Sequence, residues 1–451
     1  MEIAFSEELL RIYYRRLFPC DLFSQWLTYG SRSNGLSRRE FSFTLNGDIY
    51  LRYQSFDSAS DLKKELVKLC PIKIDIGAVY SNAPKLHRSV LSSSFKPEWK
   101  ELVFDIDLTD YDEVRYCCGE QSTSGSSICP RCWPLARCAV LCIDRALRED
   151  FGFQHLLWVY SGRRGVHCWV CDDSARHLDQ TSRMAIVEYL TLVRGGNARK
   201  PLLTAGNYSK SHDSQSSGSI EPLLHPCVDA ACNILMPRFT TYCSTINGQN
   251  LFGNQKRLLK LLSFLPVELK DFRERLSSEW SNDIQDDKGE ISTKRWNTLK
   301  KFLKENGRTN VLKEVVLNYT YPRLDVNVST GINHLLKSPF CVHPKTGHIC
   351  VPFDPQDVDK LDPFNVPTLN ELVEQLSSSS IVEKDSGSNN KDDENVVSSD
   401  KYLLAFKNTS LRPAIEYFEA FVNRISQAER LCNKTDNSED NSGVLAAIPV
   451  F

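Results

Sequence analysis

Glu101-Leu102-Val103-Phe104-Asp105-Ile106-Asp107-Leu108 (residues 101–108) is the stretch that decides how this chain folds. Side chains alternate between the two faces of a strand, so Asp105 and Asp107 project to one side and Phe104, Ile106 and Leu108 to the other. The apolar side calls for a core. The acidic side calls for a cation, because two carboxylates this close repel. Two Mg²⁺ or Mn²⁺ ions bridged by such a pair would stabilise the attacking and leaving oxygens of a phosphoryl transfer.

Upstream, Phe41, Phe43 and Leu45 alternate with small polar residues, Asn46-Gly47-Asp48 supplies a turn, and 49–53 returns as the second arm of a hairpin. Residues 73–77 read as another strand, with Lys73 and Asp75 on one face. Downstream, 156–161 and 166–171 form a hairpin around Ser161-Gly162-Arg163-Arg164-Gly165-Val166-His167. Arginine forks match phosphate oxygens bidentately and the glycines permit close backbone approach, so this turn suits a triphosphate. Asp325 interrupts the apolar alternation of 322–328, where a buried charge is costly. That makes it a third candidate ligand on a strand, the alternative being a strand-end aspartate paired with Arg323. Lys337 and His343 could add positive charge nearby, and Arg52 sits on the early hairpin.

Cys117-Cys118 and, ten residues on, Cys129-Pro130-Arg131-Cys132 supply four thiolates in a Gly/Ser-rich loop, suited to a tetrahedral structural Zn²⁺. Cys138 could replace one member. Sixteen cysteines scattered through 451 residues, without an N-terminal secretory pattern, read as reduced thiols and a metal site rather than a disulfide framework.

The length allows two or three domains. Hydrophobic residues at 41% and charged residues at 25% exclude a fibrous or wholly disordered chain. The net charge of −2, from 55 Lys+Arg against 57 Asp+Glu, means that any polyanion site must be a local patch. No stretch is long and apolar enough to span a bilayer, so no membrane is expected. Helical spacing predicts an amphipathic helix after Ser6, further helices over 135–150 and 180–192, and a mostly helical segment over 191–318. Residues 377–400 read as a disordered linker, 401–435 as a C-terminal segment with an amphipathic helix, and 436–451 as a flexible tail. The fold class is α+β, with residues 1–190 and 319–376 forming one discontinuous module.

In order along the chain, 39–45, 49–56, 73–81, 101–112, 161–172 and 321–347 resemble the small-subunit family of eukaryotic DNA primases, within the archaeo-eukaryotic primase superfamily. The resemblance runs to about residue 370, with 191–318 matching poorly. It implies the primase (prim) fold, with mixed β-sheets, a zinc knuckle over about 117–132 and a mostly helical subdomain. The implied activity is RNA primer synthesis from ribonucleoside triphosphates on single-stranded template DNA. Position by position, it implies a metal-binding catalytic trio of Asp105, Asp107 and Asp325, with Glu40 as a further active-site acid. Ser161, Arg163, Arg164 and His167 fall on the triphosphate motif, with Arg52, Lys337 and His343 completing a positive pocket. Asp75, His334, Leu335 and Leu336 lie near the incoming nucleotide, and Cys117, Cys118, Cys129 and Cys132 take the zinc. The implied partners are the large primase subunit and the DNA polymerase α assembly, and the implied compartment is the nucleus. Read from the residues alone, a two-metal nuclease and a noncatalytic nucleic-acid-binding subunit stay open.

Overall fold

The structure is a computed structural model that describes residues 5–30, 35–118, 128–192, 223–282, 290–385 and 405–439. Most of the spacer between the two cysteine pairs, the serine-rich stretch 214–219, the linker beyond 385 and the tail beyond 439 lie outside the described residues.

Among the described residues, nine strands build two sheets. The first has the order β2 (Tyr50–Gln54), β1 (Arg39–Thr44), β3 (Lys73–Tyr80), β4 (Pro97–Trp99), with β8 (Leu336–Lys337) also pairing with β3. The second runs β5 (Leu102–Asp107), β7 (Gly165–Val170), β6 (Leu156–Tyr160), β9 (Pro352–Phe353). Every ladder among these residues is antiparallel, not the mixed arrangement expected. The reason is local: β1–β2 and β6–β7 are tight hairpins, and no βαβ crossover returns a strand parallel to its neighbour.

β5 behaves as its alternation demands. Phe104, Ile106 and Leu108 are fully buried, each stabilising the fold by roughly 1.5–3 kcal/mol, while Asp105 and Asp107 face outward from that core. The N-terminal helix Glu7–Arg16 starts where Ser6 accepts a hydrogen bond from Leu9 N, and buries Leu10, Tyr13 and Tyr14. Trp26, on helix Cys20–Thr28, meets Trp169 of β7 edge-on at 5.4 Å and Phe418 of the C-terminal helix at 5.8 Å. The two ends of the chain thus share one core with the second sheet.

Helices Pro226–Cys243, Gln255–Leu262, Lys270–Asn282, Ile291–Glu305 and Thr309–Thr320 fill the described part of 191–318. Pro226–Cys243 packs on Trp133–Arg145, so these helices lie directly against the sheet-bearing part. Three expectations need correction. Residues 322–328 are not a strand: Asp325 is the N-cap of a short helix, Val326–Thr330, its Oδ1 accepting from Asn327 N at 3.0 Å and Val328 N at 3.4 Å. The expected linker begins as helix, since Leu369–Asp385 is anchored by buried Leu369, Leu372 and Leu376 and propagates through the serine run. The last helix, Arg412–Glu439, likewise continues past 435. No helix among the described residues is long and apolar enough to cross a membrane.

Candidate active site

A cleft of about 330 Å³ is lined by residues of both sheets. β5 contributes Asp105 and Asp107, β7 contributes His167, and the β6–β7 turn contributes Ser161, Arg163 and Arg164. β3 and β8 supply Lys73, Asp75, Leu336 and Lys337, and the adjoining loops and short helix supply Asp325, Val328, His334, Leu335 and His343. Strand register explains much of this convergence: Asp105 pairs with His167, Asp107 with Gly165, and Asp75 with Lys337. Asp325 joins because its backbone N–H donates to Asp105 O at 3.2 Å, which fastens the short helix to β5.

Two glycines make the turn possible. A Cβ on Gly165 would sit 2.2 Å from Ile106 O, and one on Gly162, whose φ is +85°, would sit 2.7 Å from His343 Cβ. Ser161 Oγ accepts from Gly165 N at 3.0 Å, and Thr346 Oγ1 donates to Gly162 O at 2.7 Å. Lys337 Nζ donates to Ser161 O at 3.1 Å, so its charge is fixed against the same turn.

Charge is unevenly shared in the cleft. Arg164 Nε contacts both oxygens of Asp107, at 2.8 and 3.0 Å, and Thr109 donates to Asp107 Oδ1 through backbone and hydroxyl. Among the described residues Asp105 has no arginine paired with it, and His167 Nε2 lies 3.6 Å from its Oδ1. Burial, then the Asp107 charge and, more weakly, Asp325, push its carboxyl up to about 7 against the opposing Lys337. Burial and the Lys337 charge push His167 down to about 3, and burial with Lys337, Arg163 and Arg164 pushes His343 down to about 2. Both imidazoles are therefore neutral. The carboxylates of β5 and the cations of the neighbouring turn thus line one cleft, and the hard oxygen donors suit Mg²⁺ or Mn²⁺. The three carboxylates share the cleft without closing on one another as tightly as the thiols described below.

Two predicted residues stand beside the cleft. Glu40 is fully buried and bonded to Arg52 Nε at 2.8 Å, while Arg52 Nη2 donates to Asn333 O at 3.3 Å. Lys73 Nζ is paired with Asp75 at 3.0 Å. Arg323, which the alternative reading paired with Asp325, is bonded instead to Glu113 at 2.6 Å.

The sulfurs of Cys117, Cys118, Cys129 and Cys132 all lie within 4.8 Å of one another. That is close to what one four-coordinate ion with Zn–S near 2.3 Å requires, so the donor set could hold zinc. Cys138 does not join them; it is buried in helix Trp133–Arg145. A hydrogen bond from Cys117, against opposing burial and with Cys129 N and Arg115 adding, holds the Cys132 thiol at about 5. Sequence reasoning missed Gln249. Its Oε1 accepts from Tyr116 N at 2.6 Å and Cys117 N at 3.1 Å, and its Nε2 donates to Arg131 O at 2.9 Å and Cys117 Sγ at 3.4 Å. One buried amide thereby joins the arms that carry the two cysteine pairs. Preceding Gly248 leaves no room for a Cβ, which would lie 2.2 Å from Tyr242 O.

The family model for the DNA primase small subunit matches residues 104–355, the span holding the paired aspartates, the arginine turn and the cysteine cluster. The chain belongs to the DNA primase small subunit family. The DNA primase small subunit of Drosophila melanogaster is 38% identical over 435 residues, covering 94% of this chain and 92% of that protein. Those of Schizosaccharomyces pombe and Saccharomyces cerevisiae are 38% and 31% identical, covering 94% and 97% of this chain and 90% and 96% of their own lengths. These primase likenesses extend over the helical segment and the C-terminal part, which the motifs alone did not reach.

Proposed function

We propose that this chain synthesises RNA primers on single-stranded template DNA for DNA replication, as the nucleotidyl-transferring subunit of a primase. One observation carries the reading: the acidic strand β5 and the cationic turn 161–164 face a common cleft, in a chain of the primase small subunit family. In the reaction a ribonucleotide 3′-oxygen attacks the α-phosphorus of a ribonucleoside triphosphate. The 3′-hydroxyl proton departs, the bond from α-phosphorus to the bridging oxygen breaks, and pyrophosphate leaves. Asp105, Asp107 and Asp325 would hold two divalent cations, Mg²⁺ or Mn²⁺, whose charge would offset that developing on the reacting oxygens.

The chain's own groups position the triphosphate. Arg163, Lys337 and the neutral imidazoles of His167 and His343 offer donors, with Ser161 bracing the turn. Arg164, paired with Asp107 in the absence of metal, would be a further phosphate donor when that carboxylate holds a cation. Asp75 with His334, Leu335 and Leu336 borders the nucleotide, and the Arg52–Glu40 pair shapes its outer rim. The four cysteines would hold a structural Zn²⁺, and the two sheets with the helical segment make up the primase fold: 1–190 and 319–376 as one module, 191–318 as a subdomain. Family membership supports a nuclear location and assembly with the large primase subunit and DNA polymerase α.

The test is incorporation of labelled ribonucleotides on single-stranded DNA, with pyrophosphate release followed in parallel. Arg163→Ala should raise KM for the triphosphate by at least about tenfold, as removal of one charge-assisted hydrogen bond would. Metal-dependent DNA or RNA degradation without incorporation would favour a nuclease and contradict the proposal.

A further inference from the structure

Residues 81–96 connect β3 to β4 and carry Lys85, Arg88 and Lys96 without a single aspartate or glutamate, in a chain whose net charge is −2. The loop is built onto the sheet. Ser81 N donates to Lys96 O at 2.9 Å, and Lys85 Nζ pairs with Asp57 at 2.8 Å. Two ring stacks hold it: Tyr53 on His87 at 4.2 Å and Tyr80 on Phe95 at 4.4 Å, with Tyr53 and Phe95 meeting edge-on at 5.9 Å.

This group of rings is linked to the cleft through Arg52 and Asn333. The Arg52 guanidinium lies 5.0 Å over the Tyr53 ring and also donates to Asn333 O, next to cleft-lining His334. Tyr53 is held at φ 60°, the left-handed region that a ring-bearing residue seldom adopts. Such backbone is kept where surrounding structure over-determines it, commonly at binding sites. Arg88 and Lys96 are exposed and, among the described residues, make no ion pair, while Leu86 and Leu91 of the same loop stand 49% and 76% exposed.

Exposed cations, apolar side chains and stacked rings linked to a nucleotide-sized cleft are what a single strand needs. Its phosphates take the cations, and every base offers a π-face. We propose that loop 81–96 is the surface along which single-stranded template DNA enters the cleft. Arg88 and Lys96 take backbone phosphates, and Leu86, Leu91 and the accessible parts of Tyr53, His87 and Phe95 take bases. The inference rests on the primer-synthesis reading for the identity of the strand. An acidic protein could use the same cations, but it gives no reason for the rings to be linked to the cleft.

The experiment measures binding of a fluorescein-labelled oligothymidylate of about 16 nucleotides to the full chain by anisotropy, across a salt series, with no nucleotide added. Arg88→Glu/Lys96→Glu should weaken binding by about tenfold or more and flatten the slope of log K against log salt by about 1.4, roughly 0.7 for each phosphate no longer neutralised. The neutral Arg88→Gln/Lys96→Gln pair should fall between, with melting temperature and zinc content unchanged in both. Photocrosslinking with 5-iodouracil in the strand should mark Tyr53, His87 or Phe95. Native affinity and slope in the reversed variant, no measurable binding by the native chain, or crosslinks confined to other parts of the protein would overturn the proposal. Because binding is read without nucleotide, a chain that binds through the loop yet incorporates nothing would fault the primer-synthesis reading alone.

Discussion

Gly165 shows how a single residue places the reactive strand. Its missing Cβ lets β7 lie against β5 at the Asp107 position, and Gly165→Ala would drive a methyl into Ile106 O. The expected cost is at least about 2 kcal/mol, read in urea unfolding, with loss of nucleotide incorporation exceeding loss of fold because Asp107 moves first. Arg39 and Glu101 make a second case. Both are fully buried and bonded at 2.8 and 2.9 Å, with Tyr29 adding a hydrogen bond to Glu101. Burial raises the Glu101 carboxyl, but Arg39 and these bonds win and hold it at about 2. A carboxylate depressed in the folded state stabilises above its unfolded pKa and loses that contribution as pH falls through the folded one. Arg39→Met should therefore destabilise by about 3–5 kcal/mol near neutral pH, and by less toward pH 3. A pH-independent difference between the two proteins would contradict it. The aspartate pair and the arginine turn were readable because strand alternation and local spacing determine where those side chains go. Arg39 was not, because its partner is brought from a distant part of the chain.

At the scale of elements, short-range patterns misled where two periods overlap. Leu324, Val326 and Val328 alternate as a strand would, yet the aspartate between Leu324 and Val326 is also a helix N-cap, and the bond from Asp325 N to Asp105 O settles the choice. The serine run after Leu376 reads as disorder by composition, and only packing of the preceding turns extends the helix through it. Gln249 was invisible for a related reason: its four hydrogen bonds join it to residues more than a hundred positions away. Gln249→Ala should weaken zinc retention by about 10- to 100-fold in chelator competition. Cobalt substitution should also show shifted sulfur-to-metal charge-transfer bands once Cys117 Sγ loses its donor. Unchanged affinity and spectrum would mean that the amide only packs.

Over the whole molecule, many thiols lie in the core. Burial pushes Cys20, Cys138 and Cys171 up to about 12, so they stay protonated in the folded chain while unfolded thiols ionise near 8.5. Groups raised in the folded state stabilise fully below their unfolded pKa and lose that contribution as pH rises toward the folded value. Lys100, pushed down to about 7 by burial and Arg183, works in the opposite sense between about 7 and 10.5. With several thiols against one lysine, the urea midpoint under reducing conditions should fall from about pH 9 upward; a rising midpoint would contradict this balance. The sheets were legible from sequence because each strand carries its own pattern, whereas the docking of the C-terminal helix on Trp26 and Phe340 was not.

The central claim, that β5 carries the chemistry of primer synthesis, is tested most directly by ribonucleotide incorporation on single-stranded DNA with Mg²⁺ or Mn²⁺, comparing the native chain with Asp105→Ala. The native chain should make template-dependent oligoribonucleotides, and the variant none while keeping its fold and its zinc. Substantial synthesis by folded Asp105→Ala, or none by the native chain even with the large subunit and an annealed primer, would contradict the claim.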